Sequence, residues 1–93
     1  MSFALIIQDA AILEIKDAFD WYEEQKDGLG HEFIKEIEAC CNSLSKYPER
    51  YSYINDLYRR IKTNRFPYII IYEIYNDTII ILRVRHLKQK PID

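Results

Sequence analysis

The 93-residue sequence predicts an α+β fold in the order β-α-α-β-β-β, and three observations predict it. A short apolar run opens the chain, two stretches of helical period follow on either side of a glycine-containing break, and the last third holds two apolar runs joined at Asn76-Asp77. An N-terminal strand, a helical hairpin and a three-stranded antiparallel meander account for all three. A chain of this length makes one domain, residues 1–93, with a modest core.

Residues 3–8 are rich in β-formers, and the Asp9 that follows is suited to N-cap a helix. From residue 10 to about 25, Ile12, Ile15, Phe19 and Tyr22 recur at three- and four-residue spacing, with Ala11, Ala18 and Trp21 widening the stripe. Trp21 and Tyr22 therefore read as core. The break Lys26-Asp27-Gly28-Leu29-Gly30 holds both glycines and is short enough to fold the next helix back antiparallel. That second helix, residues 29–46, gathers Phe33, Ile37, Cys40, Cys41 and Leu44 on one face and Glu32, Lys35, Glu36 and Glu38 mostly on the other, and Pro48 ends it. Residues 51–57 lack a clear period and read as a loop, with Tyr47, Tyr51, Tyr53 and Tyr58 packing around it. Strands are expected at 58–64, at 68–74 with Pro67 at the start, and at 78–84, followed by a basic exit over 85–91.

Alternation assigns Tyr68, Ile70, Tyr72 and Ile74, together with Ile80, Leu82 and Val84, to the side under the helices. The other side then carries Ile69, Ile71, Glu73, Ile79, Ile81, Arg83 and Arg85, a mixture too apolar for a solvated surface and too charged for a closed core. Such a face suits an amphipathic helix or an added strand from a partner, with Arg59, Arg83 and Arg85 as bidentate anchors for carboxylates. The plain alternative is a homodimer whose arginines only solubilise the sheet.

Composition narrows the classes. With 48% hydrophobic and 30% charged residues, the chain is an ordinary globular one rather than disordered or membrane-embedded. Its apolar runs fall far short of the roughly 20 residues that span a bilayer, and no basic segment precedes a signal-like core, so a cytoplasmic location is expected. Cys40 and Cys41 are adjacent, which argues against a mutual bridge and for reduced core thiols; His31 and His86 have no metal-ligand spacing near them, so neither metal nor other cofactor is expected. Charge is divided along the chain. Residues 1–57 hold 12 Asp+Glu against 5 Lys+Arg, net −7, whereas residues 58–93 hold 8 Lys+Arg against 3 acids, net +5. A basic segment along strands is a footprint for phosphate or for an acidic peptide.

The ordered set Trp21-Tyr22, Leu29-Gly30, Glu32-Phe33, Tyr47-Pro48-Glu49, Arg65-Phe66-Pro67-Tyr68 and the 86–91 segment resembles the RelE/ParE superfamily of small bacterial toxins, in particular its ParE-like "plasmid stabilisation" branch. The resemblance covers nearly the whole chain. It implies the toxin of a type II toxin–antitoxin system, neutralised in a hetero-oligomer by a cognate antitoxin with an acidic amphipathic C-terminal segment. It points to Arg59, Arg60, Ile69, Ile71, Ile79, Ile81, Arg83 and Arg85 as the residues that bind antitoxin or target.

Two toxic mechanisms exist in that superfamily. ParE-like members poison DNA gyrase by protein contact, whereas RelE-like members cleave mRNA on the ribosome with basic side chains that stabilise the pentavalent phosphate. For such a ribonuclease the catalytic candidates here are Arg65, Arg83, Arg85, His86 and Lys88. Aligned on Tyr72, however, Ile69 stands where the ribonucleases carry an arginine, and no tyrosine follows Tyr75. A net charge of −2 is also unusual for a protein that works among ribosomal phosphates. These departures favour gyrase, with the ribosome-dependent ribonuclease and a non-toxic antitoxin-binding relic as the alternatives. His86 then reads as a strand-end structural residue rather than a general base.

Overall fold

In the computed structural model, which describes residues 3–88, the elements follow the expected order. They are β1 (Ala4–Ile7), α1 (Asp9–Gln25), α2 (Leu29–Lys46), a 3-10 turn (Pro48–Arg50), β2 (Arg59–Lys62), β3 (Tyr68–Tyr75) and β4 (Thr78–His86). The last part of the expected basic exit, residues 89–91, lies outside the described range. β2 is shorter than expected because Thr63, 1% exposed, turns the chain inward: its N–H donates to the Tyr68 carbonyl at 3.0 Å and its hydroxyl to that of Phe66.

The strands lie in the order β1-β4-β3-β2. β2, β3 and β4 form the expected antiparallel meander, but β1 runs parallel to β4, so the sheet is mixed rather than antiparallel throughout. Part of the reason lies at the opposite edge. There the loop before β2 already uses backbone groups of the strand, with the Arg60 N–H donating to Ser52 O at 3.1 Å, while the β4 edge beside Thr78–Ile81 takes the N-terminal strand. Asn76 makes the tight β3–β4 turn with φ 54°, a left-handed value that asparagine tolerates.

The helices cover one face of the sheet. Ala11, Ala18, Tyr22, Phe33, Ile37 and Leu44 pack over Ile61, Ile70, Tyr72, Ile79, Ile81 and Val84. At one end of this core the rings of Tyr22, Phe33, Phe66 and Tyr68 meet at 4.8–5.4 Å in edge-on and tilted pairs, the arrangement favoured by aromatic quadrupoles. Ala11, Ala18 and Tyr22 carry the buried line of α1, and the two alanines let the helix seat closely. Ile12 and Trp21, expected inside, sit on its flanks at 48% and 57% exposure. Asp9 is the first residue of α1 rather than its cap; Gln8 occupies the N-cap without a side-chain hydrogen bond.

A β-bulge reverses half of the expected facing of β4. Ile71 pairs with Arg83 and Tyr72 with Ile81, which leaves Leu82 as an extra residue with nothing opposite it in register. Ile79, Ile81 and Val84 therefore all point under the helices, at 0%, 1% and 2% exposure. The alternation-based assignment of Ile80 and Leu82 to that side is incorrect, as is that of Ile79 and Ile81 to the open side. Val84 was placed correctly because it lies beyond the bulge.

The α1–α2 corner is held by one carboxylate. Glu23 accepts from the N–H groups of Gly28 at 3.2 Å, Gly30 at 2.8 Å and His31 at 3.3 Å, which satisfies the otherwise unpaired first turn of α2. These bonds, led by that from Gly28, hold its carboxyl below the usual glutamate range, and the Arg65 hydrogen bond does the same for Glu32. Because both folded values are depressed, the stabilisation is fully present above the unfolded value of about 4.3 and is lost as pH falls through the folded ones. Urea midpoints should therefore be flat from neutrality to about pH 5.5 and fall below about pH 4.3, with a shallower fall in Glu23→Gln. An equal slope in that variant would remove Glu23 from the account.

Candidate functional site

The face of the sheet away from the helices carries Arg60 and Lys62 on β2, Ile69 and Ile71 on β3, and Ile80, Arg83 and Arg85 on β4, by the strand register. Ile71 is only 6% exposed although it lies outside the main core. The loop before β2 reaches this side: Ile54 and Tyr58 share with Ile71, Leu82 and Arg83 a groove of about 400 Å³. An Asx turn shapes that loop, the Asn55 side chain accepting from the N–H groups of Leu57 and Tyr58 at 2.8 Å each. The register thus places Ile69, Ile71 and Ile80 beside cations on one face. Ile79 and Ile81 do not belong to it, because the bulge puts both in the core.

The basic residues singled out from sequence do not form one cluster: Arg59 and Arg65 stand apart from the Arg83, Arg85, His86 and Lys88 group on and just after β4. Arg59 lies in register with Tyr72, on the helix side, and braces the loop: it donates to the carbonyls of Glu49 at 2.9 Å and Tyr51 at 2.8 Å and stands 3.9 Å over the Tyr53 ring. Arg65 pairs with Glu32, while the backbone N–H groups of Arg65 and Phe66 donate to Glu36, so this turn is fastened to α2. Arg83 is held on the other side of the molecule by Glu14 of α1, with Nε 3.0 Å and Nη2 2.8 Å from the two carboxylate oxygens. Glu14 also accepts from the Val84 N–H at 2.8 Å and lies 3.9 Å from Arg85. His86 closes β4, edge-on to the Tyr68 ring at 5.1 Å, and its Nδ1 accepts from the N–H of the exposed Lys88.

Glu14 was not found by sequence reasoning. The signal for it was an acid among the apolar positions of an amphipathic helix, half-buried here because it reaches the β4 edge just past the end of β1. Reasoning from sequence also missed a second groove, of about 370 Å³, between α1 and the far end of the sheet, lined by Asp17, Trp21, Tyr22, Tyr68 and His86 among others. Burial pushes the Tyr68 and Tyr72 hydroxyls up to about 12, so both stay protonated near neutrality. Burial likewise raises Cys40, to about 11, and Cys41, which makes them packing thiols rather than nucleophiles.

Solved structures share this architecture. A chain of the chromosomal ParDE toxin–antitoxin system from P. aeruginosa superposes with a TM-score of 0.82 over 94% of this chain and 98% of its own, at 14% identity. A chain of the archaeal RelE–RelB complex from Pyrococcus horikoshii OT3 does so at 0.61 over 97% and 100%, at 11% identity. The fold is therefore the one these toxin–antitoxin structures share, a helical hairpin on a small sheet. No curated protein matches the sequence. The family model described as "ParE toxin of type II toxin-antitoxin system, parDE" matches residues 5–91, and the chain belongs to that family of toxins.

Proposed function

We propose that this toxin arrests growth in the cytoplasm by protein contact with DNA gyrase, and that the acidic C-terminal segment of a cognate antitoxin neutralises it by docking on the open face of the sheet. The observation that carries the choice against RNA cleavage is the dispersal of the cations. Among the candidate arginines, Arg65 is engaged by Glu32 at the start of α2, whereas Arg83 and Arg85 are drawn to Glu14 of α1, so they are divided between two carboxylates on different helices. Phosphodiester cleavage needs several such groups converging on one phosphate. Ile69 faces Arg85 in register, at the position where RelE-like ribonucleases carry an arginine. The groove beside Ile71, Leu82 and Arg83, with Arg60 and Lys62 nearby on the same face, supports a partner that is apolar and acidic.

Induction of the chain alone in a bacterium, followed by labelled thymidine and methionine incorporation, tests the reading. Thymidine incorporation should fall first, with a DNA-damage response. Earlier loss of methionine incorporation, with cleaved mRNA on ribosomes, would replace it with the ribonuclease mechanism. Continued growth with soluble protein accumulating would leave an antitoxin-binding relic.

A further inference from the structure

The groove between α1 and the end of the sheet is lined on the sheet by Tyr68, Val84 and His86, which by register lie on the opposite face from Arg83 and Arg85; Glu14 joins it to Arg83 of the face assigned to the antitoxin. Its walls are aromatic, with Trp21, Tyr22, Tyr68 and His86, and Glu14 and Asp17 stand on its α1 side. Trp21 is 57% exposed, edge-on to Tyr22 at 5.2 Å. Asp17 precedes it by four residues, so the two are neighbours on the helix surface. Glu14 is neutralised by Arg83 and Arg85, whereas Asp17 makes no ion pair among the described residues.

From this constellation we infer that the groove receives an arginine side chain presented by a protein partner, its guanidinium stacking on Trp21 and pairing with Asp17. Charge decides the class of occupant. The charged groups α1 contributes to the groove are Glu14 and Asp17, both acidic, so a nucleotide that used the same rings would bring its phosphate against Asp17. A cation gains from both the ring faces and the carboxylate. Arginine suits the site better than lysine, because its planar fork stacks and hydrogen-bonds at once.

Trp21 is the sequence's single tryptophan, so its emission reports this groove directly. The full-length protein, titrated at low salt with N-acetyl-arginine amide, should show a saturable change in emission. The change should weaken at about 0.5 M salt, where exposed pairs are screened, and Asp17→Asn should bind about fivefold more weakly. Asp17 is exposed, so that variant should keep the native urea midpoint, which is measured alongside. The inference is overturned by no saturable response, by an equal response to N-acetyl-glycine amide, or by Asp17→Asn binding as tightly as the native chain. Saturation by adenosine monophosphate at lower concentration than by the arginine derivative would likewise overturn it, in favour of a base-stacking site.

Discussion

Glu14→Ala is expected to lower the free energy of unfolding by about 2–3 kcal/mol and the melting temperature by roughly 10–20 °C for a domain of this size. The carboxylate gathers the guanidinium of Arg83 and the backbone N–H of Val84, both of which lose their protein acceptor in the variant. Side-chain exposures of 34% for Arg83 and 19% for Glu14 allow some rehydration. The loss should thus fall below the about 3–5 kcal/mol typical of breaking a fully buried pair. Glu14→Gln should recover part of it, because the amide oxygen still accepts from Val84. A double-mutant cycle with Arg83→Met isolates the ion pair from the strand-edge bond. A loss in Glu14→Ala of only about 0.5 kcal/mol, the size of an exposed pair, would show that water serves this edge as well as the carboxylate does.

Gly30→Ala should destabilise by a similar amount, about 1–3 kcal/mol, for a steric reason. A Cβ at this position would lie 2.7 Å from the Phe19 carbonyl oxygen, 2.7 Å from Glu23 Cγ and 2.9 Å from Phe19 Cδ1. The Glu23 side chain could swing away, but the carbonyl is backbone of α1 and cannot move without shifting the helix. Moving Glu23 would in turn release the N–H groups of Gly28, Gly30 and His31. Urea denaturation of the variant reads the loss, and an unchanged midpoint would mean that the two helices part at this corner without penalty. Gly28 differs in kind: φ is 86° and a Cβ would meet nothing, so only its backbone conformation constrains it.

What could be read from sequence was whatever short-range period determines. α2 was legible because one stripe faces one surface throughout: Phe33, Ile37, Cys40 and Leu44 are all buried. The Asn76-Asp77 turn was legible because few residues accept the backbone it requires. α1 was less so, since it is wedged between α2 and β4 and its closest line is set by two alanines rather than by its largest side chains. The facing of β4 was missed because nothing in a run of isoleucines and leucine marks which residue is extra. Of the candidate site, the cations of the open face were visible as a basic segment. Their partners were not: Glu14 and Arg83 are 69 residues apart, and Glu32 and Arg65, at the turn before β3, are 33 apart. Separations of that size become contacts only through the topology of the whole sheet.

The extra residue in β4 also bears on how roles can be carried between distant members of such a family. Across Leu82 the strand shifts phase by one position, so a relative with an uninterrupted strand corresponds to this one only if a gap is placed there. Without the gap, every position on one side of the bulge is matched to a neighbour that points the opposite way. An arginine on the open face would then be equated with a buried aliphatic residue. At 14% identity, letters alone give little purchase on where that gap belongs, whereas hydrogen-bond register locates it directly. Equivalences for Arg83 and Arg85 therefore follow from superposed backbones rather than from aligned letters.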